Sequence, residues 1–108
     1  MHNFMARQGD VLIRSVNSIP NGAKDVTPKD RIVLAYGEVT GHAHAIAPGE
    51  AMEFSFADAA GVVRRFLNVV KNAVVRHEEH APIPLPAGMY EIVQQREYTP
   101  EEIRNVAD

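Results

Sequence analysis

The sequence predicts an all-β domain: a small antiparallel β-barrel or sandwich with a short C-terminal helical turn. Three observations carry that expectation. Apolar residues fall in short runs rich in Val, Ile, Phe and Tyr, in places alternating at a period of two, while a 3.6-residue period is nearly absent. Clusters of Gly, Pro and Asn punctuate those runs. The chain has 108 residues, too few for the long crossovers of parallel strands, so antiparallel pairing is the economical closure.

Residues 10–16 (DVLIRSV) are expected as a first strand, opened by Gly9. Residues 17–30 carry Pro20, Asn21-Gly22 and Pro28 and are expected as a loop. Residues 31–36 (RIVLAY) form the next strand. A glycine-bounded turn over 37–41 feeds a strand over 42–47, which Pro48-Gly49 ends. Residues 51–58 place Met52, Phe54 and Phe56 on one face, the mark of a half-buried strand. Ala59-Ala60-Gly61 turns the chain into a strand over 62–70. Lys71-Asn72 is expected to be a two-residue hairpin turn into residues 73–77. Pro82, Pro84 and Pro86 exclude a central strand over 81–87, since proline has no ladder donor. The last strand runs over 89–97 with Tyr90 and Ile92 on one face. Thr99-Pro100-Glu101-Glu102 has the N-cap, first-position proline and first-turn acids of a helix start. One domain, with its core over about residues 9–98, accounts for the whole pattern.

Composition removes several function classes. Forty-five per cent hydrophobic and 23% charged residues describe a chain that can bury a core, not a disordered one. There is no cysteine, which excludes disulfide scaffolds, thiolate zinc sites, iron–sulfur clusters and cysteine nucleophiles. Eleven Lys and Arg against 14 Asp and Glu give a net charge of −3, and no basic stripe is present for general nucleic-acid binding. No apolar run reaches membrane-spanning or signal-peptide length, so a cytoplasmic location without membrane association is expected. The serines stand on no nucleophile-elbow turn. Arg64-Arg65 is the one basic doublet; its members point to opposite strand faces, so they form no fork, and one solvated arginine on a strand face is expected.

The histidines are the informative residues. Of five, four form two groups, His42-Ala43-His44 and His77-Glu78-Glu79-His80. Residues i and i+2 of a strand share a face, which sets His42 and His44 side by side, about 6–7 Å apart along the backbone. Two imidazoles on one strand make half a metal site, and the second group can complete it with His77, Glu79 and His80. Neutral imidazole plus carboxylate suits Zn²⁺, Fe²⁺, Ni²⁺ or Mn²⁺. Glu78 is then the candidate catalytic residue, a general base acting on water held by the ion. The spacing of residues 77–80 is one short of the helical zinc-protease motif, and the prolines that follow deny the helix.

The blocks of residues 37–44 (GEVTGHAH), 77–80 (HEEH), 85–90 (LPAGMY) and 95–98 (QREY) resemble a set of short bacterial proteins with no assigned activity, which implies one domain and no particular chemistry. A second likeness is to the cupin barrels. His42 and His44 resemble their His-x-His pair, Glu50 stands near the expected carboxylate, and Pro86-Ala87-Gly88 is similar to the turn of their second motif. Glu91 stands where that motif has its histidine. The cupin likeness implies a β-barrel with a metal in its mouth.

Two functions from different classes follow. One is a small cytoplasmic β-barrel that binds one divalent metal through the histidine cluster, with or without catalysis on a small-molecule ligand. The other is a non-catalytic interaction or pH-sensing module, for which exposed strand edges favour a homo-oligomeric accessory subunit. The metal reading requires the two histidine groups to converge on folding.

Overall fold

A computed structural model describes residues 4–36 and 42–94. Within them the fold is all-β, with eight antiparallel strands and no helix. The strands are β1 Met5–Gln8, β2 Val11–Val16, β3 Lys24–Asp25, β4 Ile32–Tyr36, β5 Ala43–Ile46, β6 Met52–Ala57, β7 Val63–Arg76 and β8 Ile83–Gln94. The expected turn over 37–41 and the C-terminal helical turn lie outside the described residues.

The long β7–β8 hairpin organises everything else. Residues 63–68 of β7 pair with β6, while Val75 and Arg76 pair with β5. β8 follows β7 from Ile83 to Ile92, and of β8 only Met89–Gln94 pair with β2. β1 and β3 flank β2 and β6, so two half-sheets, β3-β6-β7-β8-β2-β1 and β4-β5-β7-β8, share one hairpin. The path β1-β2-β8-β7-β5-β4 ends at β1 and β4, which do not pair, so the sheet is not closed into a barrel.

Two strand expectations need correction. Lys71-Asn72 is not a hairpin turn: β7 runs straight through it as one 14-residue strand, with a register shift between Val69 and Asn72. A tight primed turn requires positive φ, and no described non-glycine residue has it. Val70 and Lys71 lie in a bulge before Asn72 rejoins the ladder opposite Pro86, in the stretch where β7 changes partner from β6 to β5. Secondly, β8 begins at Ile83 and contains Pro84 and Pro86. Over these residues only β7 pairs with β8, leaving one side free of a ladder. Edge pairing tolerates alternate prolines whose missing N–H faces away from the partner.

The core lies between the half-sheets. Val11 and Ile13 of β2, Ile32 and Leu34 of β4, Ile46 of β5, Leu67, Val69 and Val75 of β7, and Leu85 and Tyr90 of β8 are all at most 2% exposed. The inward positions of β8 change parity across Gly88, from Ile83 and Leu85 to Tyr90 and Ile92. Tyr90 fastens this switch: its hydroxyl donates to the Pro86 carbonyl at 2.6 Å, and its ring meets Phe4 edge-on.

Neither arginine of the doublet is merely solvated. Arg64 donates to both carboxylate oxygens of Glu91, which Arg14 also contacts at 2.6 Å. Arg65 donates to Glu53 and to the carbonyls of Val33 and Leu34. The two guanidiniums hold the buried Glu91 carboxyl below the usual carboxylate range, with Arg64 the larger influence. A depressed carboxylate contributes stability that is complete above its unfolded pKa of about 4.3 and is lost as pH falls through the lower folded value. The difference in urea midpoint between wild type and Glu91→Gln is therefore expected to correspond to about 1–2 kcal/mol near neutral pH and to shrink below about pH 4. A difference independent of pH would contradict this.

Candidate metal centre

The site forms where the β7–β8 loop meets β5. Ala45 pairs with Arg76, and one further antiparallel step sets His44 opposite His77. Their rings stack with centroids 4.2 Å apart. The loop then folds back: the His80 ring lies 4.7 Å from His77 and 5.7 Å from His44. His42 meets His77 edge-on at 5.6 Å. All four imidazoles of the two groups converge, with His77 at their centre.

The two acidic residues of the loop stand differently toward the imidazoles. Ligand atoms of His42, His77 and Glu78 all lie within 4.8 Å of one another. Glu78 Oε1 also accepts the Ala43 N–H at 3.0 Å, and its carboxyl is held below the usual range by that bond first and the nearby imidazoles last. Glu79 is exposed, with Oε2 3.6 Å from His42 Nδ1. Its backbone N–H donates to His77 Nδ1; a neutral ring that accepts there carries its proton on Nε2, so ligation by His77 requires this loop bond to open. Glu50, the carboxylate suggested by the cupin likeness, accepts the Val74 N–H instead and has no described contact with the cluster.

His44 is the buried member, 3% exposed. Its Nδ1 lies 2.8 Å from Gln8 Oε1. Burial, then the neighbouring His77, push its pKa below the ordinary histidine value, with His80 adding to this and the acids Asp10 and Glu78 opposing it. The neutral ring is therefore favoured, the form that binds metal. Gly9, at φ +60° in the two-residue β1–β2 turn, brings bare backbone against the cluster. A Cβ there would sit 3.3 Å from Nε2 of both His44 and His80.

Beside His77 and Glu78 an open groove of about 450 Å³ runs over Ala43, Ala45 and Ala47, with Arg31 and Arg76 among its walls. Sequence reasoning did not single out Gln8, and it named Gly9 only as the entry to the first strand. Gly9-Asp10 could have signalled a hairpin, which would have placed Gln8 at the end of a preceding strand.

Fold and site together define a small antiparallel β domain with a histidine-rich end. The chain belongs to the family described as domain of unknown function DUF8820, whose model matches residues 7–95, a span that includes Gln8, Gly9 and all four clustered histidines. Searches of curated proteins and of solved structures give no significant match. No helix among the described residues is long and apolar enough to cross a membrane.

Proposed function

We propose that this domain binds one divalent metal ion at the loop end of the β7–β8 hairpin, through His42, His77 and Glu78 with His44 or His80 completing the shell. The observation that carries it is the mutual approach of three ligand atoms from the residue before β5 and the β7–β8 loop, beside the rings of His44 and His80. Nitrogen and carboxylate donors suit Zn²⁺, Fe²⁺, Ni²⁺ or Mn²⁺. The shell expected from the sequence had Glu79 as ligand and Glu78 as base; the approach of Glu78 to both His42 and His77 favours exchanging them.

Such an ion would act as a Lewis acid toward a small molecule or water. The adjacent groove gives a small molecule access at His77 and Glu78, which makes metal-dependent chemistry the economical extension of the binding role. The cupin likeness supports the donor types but not the same carboxylate. Calorimetric titration with Zn²⁺ is expected to show one site per chain, lost in His42→Ala and weakened in His44→Ala. Absence of binding by the wild-type protein would leave the non-catalytic module as the surviving reading.

A further inference from the structure

Gln8 is 2% exposed, and every hydrogen-bonding group of its side chain is committed. Nε2 donates to the Ala81 carbonyl at 2.9 Å and the Val75 carbonyl at 3.3 Å. Turning the amide over would set Oε1 against two carbonyl oxygens, three acceptors with no proton among them, so the orientation is fixed. Oε1 must then face His44 Nδ1 and can only accept. The ring therefore carries its proton on Nδ1, and the lone pair falls on Nε2.

That Nε2 has no hydrogen-bond partner among the described residues, and no fully buried side-chain nitrogen or oxygen there lacks one, so it reaches solvent. It faces the space beside Gly9 that His80 Nε2 also approaches. The same amide joins β1, β5, the end of β7 and the loop after His80. We infer that Gln8 is the positioning residue of the centre: it selects the His44 tautomer that offers Nε2 to a ligand and ties the residue 77–82 loop down beside it. This rests on the metal-binding reading for its purpose, though not for its geometry. Partners that fix the free nitrogen of a ligating histidine typically change metal affinity by about 10–100-fold.

Side-chain ¹⁵N spectra of the metal-free protein, paired with Zn²⁺ titrations, test it. In wild type, His44 is expected to show a protonated Nδ1 and an unprotonated Nε2. In Gln8→Met, the ring is expected to sample both tautomers, with Zn²⁺ affinity reduced about tenfold or more. In Gln8→Glu, which still accepts from Nδ1 but cannot donate to the loop, the tautomer is retained while affinity falls partway. A protonated Nε2 in wild type would overturn the inference, as would a folded Gln8→Met protein with unchanged tautomer and affinity. If Gln8→Met does not fold, wild type and Gln8→Glu decide it. Failure of wild type to bind Zn²⁺ while His44 keeps the expected tautomer would overturn the metal reading and leave the hold of Gln8 on the ring established.

Discussion

Replacing His77 with alanine is expected to weaken Zn²⁺ binding by about a hundredfold or more, the upper end of what even outer-shell substitutions cost, with little loss of stability. His77 is the ring that touches all three others and one of the three residues whose ligand atoms converge. It is only half-buried and stands just beyond the end of β7, so its removal leaves no sealed cavity and no ladder bond unmade. The variant loses an acceptor for the Glu79 N–H, which is exposed and can turn to water. Glu78→Gln is the sharper companion. Glutamine can still accept the Ala43 N–H, so the strand end stays fastened while the anionic donor is removed. Calorimetric titration together with thermal melting separates the effects: affinity should collapse in both variants while the melting transition moves little. Wild-type affinity in His77→Ala would remove His77 from the site.

The largest effect on stability is expected at Arg65, where alanine should cost about 3 kcal/mol. Its guanidinium donates to Glu53 at 2.8 Å, to the Leu34 carbonyl at 2.7 Å and to the Val33 carbonyl at 2.9 Å. Those carbonyls lie where the β4–β5 register shifts, between Val33 and Ala35, so the bulge leaves acceptors that the ladder does not serve. The Glu53 side chain is 12% exposed and that of Arg65 32%, which puts the cost of an abandoned carboxylate below that of a fully buried one but well above a surface pair. Lysine should recover only part of the loss, because one ammonium cannot reproduce the planar fork. Urea unfolding of wild type, Arg65→Ala and Arg65→Lys checks this. Equal stability of the lysine variant and wild type would show that charge alone, not the fork, is what the site uses.

Strands with plain alternation or a compact apolar run were legible from the sequence. Residues 31–36 and 51–58 contain β4 and β6, since Ile32 and Leu34, or Met52, Phe54 and Phe56, fill one face. The errors occur where pattern and pairing part. β1 turns the polar Gln8 inward while Met5 is 67% exposed, inverting the usual signal. The bulge around Lys71 and Asn72 imitates a turn because polar residues interrupt an apolar run in both cases. In β8 the parity change across Gly88 splits one strand into two apparent segments.

The candidate site was legible as chemistry but not as geometry. His42 and His44 could be placed on one face from their spacing, yet nothing local shows that β5 pairs with the end of β7. That is a long-range consequence of the bend at which β7 changes partners. Which glutamate reaches the histidines depends on the path of the loop between Arg76 and Ile83, and a lone polar Gln8 carries no mark of its three hydrogen bonds.

The most direct measurement is an anomalous-difference map at the zinc edge from crystals of protein incubated with Zn²⁺. The account predicts one strong peak between His42, His77 and Glu78, on the Gly9 side of which His44 Nε2 or His80 Nε2 approaches the ion. A map with no peak there, or with its peak on surface carboxylates away from the four rings, would contradict it.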